Sequence, residues 1–176
     1  MNIITEITDE MFGIKTIPFN NPKIRYGARG IVKREDEKIA VFYKRNKNEY
    51  KLPGGGIDNK ETPEEAFERE VIEEIGCKIK NIELLGITKE LKSKENFKQI
   101  SYVFSSIVTE DTKITKMTQK EIDEGGTLIW LKPQEALEKI QNCASNLKSS
   151  QYDSVYRTRF MNYRDTEILK YYIKKL

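Results

Sequence analysis

The chain has no histidine among its 176 residues, so no imidazole is available as general base, general acid or metal ligand, and that chemistry must fall to carboxylates. Cysteine is nearly as scarce. Cys77 and Cys143 lie far apart in sequence, which argues against a disulfide-dense secreted framework and a thiolate metal cluster and suits free thiols in a reducing compartment. No apolar run is long enough to cross a bilayer. The opening residues MNIITEITDE put no basic stretch ahead of an apolar one, so no signal peptide is expected and a cytoplasmic location is. Neither sign of charge dominates: 31 basic and 28 acidic residues leave a net +3, too even for a nucleic-acid groove, although local basic patches can serve a polyphosphate. Repeats and low-complexity segments are also missing. The length fits one domain with a full core over residues 1–176, with 1–22 as an N-terminal extension and 142–176 as a tail and closing helix.

What is present is concentrated between Gly55 and Cys77, in GGIDNKETPEEAFEREVIEEIGC. Thr62, Pro63 and Glu65 spell a helix start: an N-cap hydroxyl, a proline where no donor is needed, and a glutamate at the third helical position to close a capping box. The helix runs to Ile75 and stops at Gly76, which can take the left-handed conformation at little steric cost. Within it, Glu70, Glu73 and Glu74 are three and four residues apart and share an arc of about 100°. Phe67, Val71 and Ile75 form an apolar stripe beside that arc, which presses the helix onto a sheet and leaves the carboxylates at the rim of a cleft. Like charges crowded there repel unless a cation neutralises them. With oxygen ligands alone, Mg²⁺ or Mn²⁺ is favoured over zinc. Most glutamate runs are solvated helix faces, but such a face has no need of the Pro53-Gly54-Gly55-Gly56 segment leading into it, where backbone turns sharply and can approach a phosphate or metal closely.

The spacing G-x5-E-x7-R-E-U-x-E-E-x-G-U, with U a bulky apolar residue, falls on Gly55, Glu61, Arg69, Glu70, Val71, Glu73, Glu74, Gly76 and Cys77, and only Cys77 departs from it. Seven fixed letters match a random window with a probability on the order of 10⁻⁸ at ordinary residue usage. On these residues the chain resembles the Nudix hydrolase family, whose MutT-like members cleave a nucleoside diphosphate linked to another moiety. The resemblance implies an α/β Nudix fold, a mixed β-sheet sandwiched between α-helices, over roughly residues 24–141. It implies Mg²⁺ or Mn²⁺ held by Glu70, Glu73 and Glu74, with the Gly54 carbonyl as a further ligand, and a structural pair between Glu61 and Arg69. It implies attack of a metal-activated water on a diphosphate. The general base is Glu70 or a carboxylate in the polar stretch TQKEIDEGG, Glu121 ahead of Glu124. The markers of ADP-ribose, dinucleoside polyphosphate and coenzyme A specificity are absent, and the substrate stays open. A Nudix-fold sensor that binds a nucleotide without cleaving it is the alternative; all three box carboxylates argue against it, and the absence of histidine argues against a prenyl diphosphate isomerase.

Elsewhere, alternation predicts a hairpin from 2–7 and 14–19, paired strands 24–33 and 38–45 about the turn Arg34 to Glu37, and a short strand 49–52. Further strands are predicted after the box helix, over 100–108 and over 127–131, with helices over 133–141 and from Asp165 to the end. Arg25 and Arg29 share a strand face by period two and, with Arg45, are candidates to meet a substrate phosphate. The segment 151–165 crowds tyrosines and arginines; Arg157 and Arg159 are its candidates for substrate binding, against the alternative that it anchors a tail. The expected partner is a small-molecule nucleotide, with no membrane and no nucleic acid, and a homodimer is left open.

Overall fold

The segments rich in β-branched and aromatic residues pair into one eight-stranded sheet. The computed structural model describes all 176 residues. Its strands are β1 (Ile3–Thr8), β2 (Lys23–Lys33), β3 (Ile39–Lys44), β4 (Glu49–Lys51), β5 (Gly54–Gly56), β6 (Cys77–Lys92), β7 (Phe97–Asp111) and β8 (Gly126–Leu131). Its helices are α1 (Pro63–Ile75), α2 (Gln119–Asp123), α3 (Pro133–Cys143) and α4 (Val155–Ile173). The strand order is β1-β6-β7-β2-β3-β4, with β5 added to β2 and β8 to β3. The β1–β6 and β2–β7 pairs are parallel and the others antiparallel, so the sheet is mixed.

Strand alternation sends neighbouring side chains to opposite cores. Ala28, Val32, Ala40 and Phe104 pack with Ala66, Phe67, Val71 and Ile75 of α1. Ile31, Ile39, Val41 and Val103 pack with Ala136, Leu137 and Ile140 of α3 and Ile168, Leu169 and Tyr172 of α4. Helices therefore cover both faces, the fold class expected. Phe67 stacks on Phe104 at 5.3 Å between ring centroids, which anchors α1 and sets the direction in which its carboxylates face. Cys77 and Cys143 are buried free thiols. No helix is long and apolar enough to cross a membrane.

Four expectations need correction. The N-terminal hairpin does not form: β1 runs parallel to β6, from Ile3 opposite Ile87 to Thr8 opposite Leu91, and 14–19 is not a strand. The turn after β1 is tied instead to a distant partner, because Asp9 accepts from the Ser93 backbone N–H at 3.0 Å and its hydroxyl at 2.5 Å. The β2 and β3 segments share only the Lys33–Ile39 register pair; β2 is matched along its whole length by β7. The polar loop 110–126 contains α2, started by a second capping box in which the Thr118 hydroxyl accepts from the Glu121 N–H and the Glu121 carboxylate accepts from the Thr118 N–H. Finally, the closing helix begins at Val155, ten residues before Asp165. Its buried side includes Thr158, Asn162, Arg164, Asp165 and Thr166, so no apolar stripe announced its first half.

Candidate active site

Helix α1 starts as its capping residues dictate: the Thr62 side chain accepts from the Glu65 N–H, and the Glu65 carboxylate accepts from the Thr62 N–H. It ends at Gly76, whose φ of 70° is left-handed. The helix lies across the glycine segment. Glu61 and Arg69 form a two-pronged ion pair, Nε to Oε2 at 3.0 Å and Nη2 to Oε1 at 2.8 Å. Arg69 also donates to the Gly56 carbonyl at 3.0 Å, and Glu61 accepts from the Asp58 N–H at 2.7 Å. The charge-assisted bonds hold Glu61 down to about 2, with Arg69 the chief cause. A Cβ on Gly55 would collide with the Glu70 carboxylate, so glycine there lets strand and helix meet.

Glu70, Glu74 and Glu121 line one cavity of about 210 Å³ together with Gly54, Gly55 and Gly56. Glu74 is only 4 % exposed. Its Oε1 accepts from Lys51 Nζ at 2.6 Å and its Oε2 from the Gly54 N–H at 2.8 Å. Burial nevertheless pushes its carboxyl up to about 6, with the Lys51 charge opposing and Glu121 adding to the rise. Burial also opposes the charge on Glu121, but the Thr118 N–H at 2.7 Å and the neighbouring Glu74 and Lys51 hold it below the usual carboxylate range. The same cavity is lined by the cations Arg25, Arg29, Lys44, Lys51, Lys120 and Arg164.

The chemistry of the donors fits a hard divalent cation: three oxygen-only carboxylates share a cavity, and one of them, Glu74, is buried where its charge is disfavoured. As they stand, no three acidic or thiol side chains are arranged to hold a metal ion. Each carboxylate is engaged by a protein donor instead: Glu74 by Lys51, Glu121 by Thr118, and Glu70 by Arg69 at 2.9 Å.

The structure does not bring every anticipated residue to this cavity. Glu73 lies outside it, 39 % exposed, where its Oε2 faces Arg69 Nη1 at 3.4 Å and it lines a separate recess with Glu65, Glu68 and Lys116. Arg45 is exposed in a 3-10 turn beyond the end of β3; strand alternation turns Lys44 to the cavity in its place. Glu124 is buried against Lys44 at 2.6 Å and accepts from the Ser150 hydroxyl at 2.6 Å, away from the cavity. Arg159 is exposed and its guanidinium packs over Phe12 at 5.8 Å. Arg25, Arg29 and Arg157 do lie on adjoining recesses. Lys51, Lys120, Asp153 and Arg164 also line the cavity and were not anticipated. Arg157, Met161 and Arg164, at steps of four and three, share a helix face; that spacing would have shown them together had α4 been started at Ser154.

A family model described as the NUDIX domain matches residues 23–151. Diphosphoinositol polyphosphate phosphohydrolase 3-alpha of Mus musculus is 33% identical over 108 residues, 61% of this chain and 62% of that protein. Diphosphoinositol polyphosphate phosphohydrolase 2 of Rattus norvegicus is 33% identical over 108 residues, 61% of this chain and 56% of its own. The chain thus spans only about 60% of these relatives' length. Among solved structures, a NUDIX hydrolase from Nitrosomonas europaea superposes with a TM-score of 0.62 over 87% of this chain and 90% of that one at 16% identity, which speaks to the fold alone. A MutT protein from Bacillus halodurans gives a TM-score of 0.52 at 26% identity, over 65% and 72% of the two chains. With the box residues on α1, the mixed sheet between helices and a family match over most of its length, the chain belongs to the NUDIX family.

Proposed function

We propose that the protein is a pyrophosphohydrolase dependent on Mg²⁺ or Mn²⁺, which cleaves a diphosphate linkage in a nucleoside diphosphate joined to another moiety. The observation that carries this reading is one cavity lined by carboxylates, by cationic side chains and by the backbone of Gly54, Gly55 and Gly56. A diphosphate needs both, because its charge must be neutralised and its metal must be held. Glu70, Glu74 and Glu121, with the Gly54 carbonyl, are the residues that would hold the ion. When bound, the ion supplies Lewis acidity and lowers the pKa of a bound water. Arg25 orients the phosphates of the cleaved linkage, and the Glu61–Arg69 pair keeps the glycine segment fixed against α1. Glu121 and Glu70 are the two proton acceptors in reach, each with one oxygen already bonded, to the Thr118 N–H and to Arg69 respectively.

A second reading concerns the substrate. The matched relatives are named for diphosphoinositol polyphosphates, and the six cationic side chains that line the cavity favour so highly charged a molecule. The test is a panel: nucleoside triphosphates, nucleotide sugars, ADP-ribose, dinucleoside polyphosphates, dinucleotide coenzymes and a diphosphoinositol polyphosphate, each with Mg²⁺ or Mn²⁺ and with chelator. Metal-dependent cleavage of at least one member is expected, faster at alkaline than at acidic pH because attack needs a deprotonated water. Nucleotide binding without cleavage of any member, under either metal and from about pH 7 to 9.5, would overturn the hydrolase reading and leave a sensor.

A further inference from the structure

Arg29 stands apart from the other buried charges of this protein. Its residue is 7 % exposed, its Nε has no hydrogen-bond partner, and Asp165, Glu90 and Glu74 act on it only through space, with no hydrogen bond. Burial and the neighbouring Arg164 work against its charge. By contrast, Lys44, Lys47, Lys51 and Lys92 are each closed by a carboxylate. A buried guanidinium without a hydrogen-bonded counter-ion is costly in a fold that gains nothing else from it. Arg164, 1 % exposed, donates from Nη1 to Glu90 and from Nε to Asp165, both at 2.8 Å. Its Nη2 is buried and has no partner.

Both arginines line a recess of about 80 Å³ that Arg25 and Arg157 also border. Arg25, Arg29, Asp153, Met161 and Arg164 line this recess and the carboxylate cavity alike, so the two adjoin. The recess has room for several waters, and hence for one phosphoryl group. Its two carboxylates are already engaged: Glu90 by Arg164 and Lys92, and Asp153 by Lys120 and Lys47. The donors left over are the Gln99 amide and guanidinium N–H groups, Arg157 being held at Nε by Glu95 at 2.7 Å; the planar forks of guanidiniums match the oxygens of a phosphate.

We propose that this recess is a second phosphate subsite, which takes a phosphoryl group of the substrate other than the two of the cleaved linkage. It rests on the hydrolase reading in one respect, that the neighbouring cavity holds the scissile diphosphate. The substrate is then a molecule with at least one further phosphate, and Arg29 is kept charged and unpaired in order to select it.

Binding is tested first without metal or catalysis. Thermal unfolding is followed while inorganic phosphate replaces chloride at constant ionic strength, for the full chain and for Arg29→Met. A saturable rise in Tm is expected for the wild type. Arg29→Met should unfold no lower than the wild type in chloride, because an unpaired buried charge has been removed, and should bind phosphate at least ten-fold more weakly. An equal phosphate response in the two proteins overturns the subsite, and so does a variant that folds but unfolds well below the wild type in chloride. If Arg29→Met fails to fold, Arg157→Gln at the exposed rim serves, with phosphate affinity at least three-fold weaker expected and unchanged affinity overturning the proposal. A second arm separates a substrate phosphate from free phosphate, using a pair that differs by one phosphomonoester, NADPH against NADH. A preference of ten-fold or more in kcat/KM for the phosphorylated member, carried by KM and lost in the variant, supports a substrate subsite. Equal kcat/KM values with phosphate binding retained assign the recess to free phosphate and overturn the selectivity claim. Phosphate binding that depends on Arg29, beside a panel in which nothing is cleaved, upholds the anion site while sinking the hydrolase reading.

Discussion

Replacing Glu74 by Gln keeps the outline of the side chain and removes its charge, and the structure separates the two consequences. For activity, Glu74 lines the cavity with Glu70 and Glu121, so the change removes one charge of the proposed metal site. Turnover should fall on the order of 10²-fold or more, about 2.7 kcal/mol in the barrier. For stability, Lys51 Nζ at 2.6 Å loses its counter-charge inside the protein. Outright removal of one partner of a buried pair costs about 3–5 kcal/mol. Gln retains an oxygen that can accept from Lys51, and burial has already pushed the Glu74 carboxyl up to about 6, so a loss of about 1–3 kcal/mol is expected. Glu73→Gln is the contrast. That side chain is 39 % exposed and outside the cavity, so stability should change by no more than about 0.5 kcal/mol, and turnover should fall at least ten-fold less than for Glu74→Gln. The assay is metal-activated hydrolysis of whichever panel member is cleaved, alongside Mn²⁺ binding by electron paramagnetic resonance and thermal unfolding at fixed pH. An equal or larger loss of turnover in Glu73→Gln, with Mn²⁺ affinity intact in Glu74→Gln, would refute the reasoning: Glu73 would then be the ligand and Glu74 a structural partner of Lys51.

Two further predictions use the same network. Glu121→Gln should lower kcat at least ten-fold, whereas Glu124→Gln, which strips Lys44 of its buried partner at 2.6 Å, should lose up to about 3–5 kcal/mol of stability with kcat within about three-fold; kcat and Tm measured on both variants decide it, and the reverse pattern would exchange their roles. Glu90 is opposed by burial, yet Arg164 and Lys92 outweigh it and hold the carboxyl down to about 2. A depressed folded pKa contributes stability that is present above the ordinary value of 4.5 and is lost as pH falls toward about 2. Glu90→Gln should therefore be markedly less stable than the wild type at neutral pH, with the gap closing across that window; urea unfolding followed against pH checks it, and a gap as wide at pH 3 as at pH 7 would sink the idea.

What could be read from the sequence divides along a physical line. The box helix was legible to the residue because every signal that sets it is local: Thr62 and Glu65 cap each other, Pro63 fits the first turn, Gly76 ends it, and Phe67, Val71 and Ile75 repeat at helical spacing on the buried side. The same local grammar marked α2, where Thr118 and Glu121 repeat the capping pattern, although only the glutamate had been singled out. Pairing partners were not legible, since alternation in IITEIT marks a strand and says nothing about β6 lying beside it some eighty residues away. Arg25 and Arg29 could be placed on one face by strand period, but that Arg29 would be buried and unpaired could not, because this follows from α4 laying Arg164 and Asp165 over the sheet. The first half of that helix buries polar groups such as Thr158, Asn162, Arg164 and Asp165, and such a face carries little hydrophobic period to detect. The charges that most narrow the substrate are thus the ones least visible in one dimension. A carboxylate ladder on a single helix is a local pattern, whereas a phosphate subsite exists only where two elements distant in sequence present their guanidiniums to the same recess.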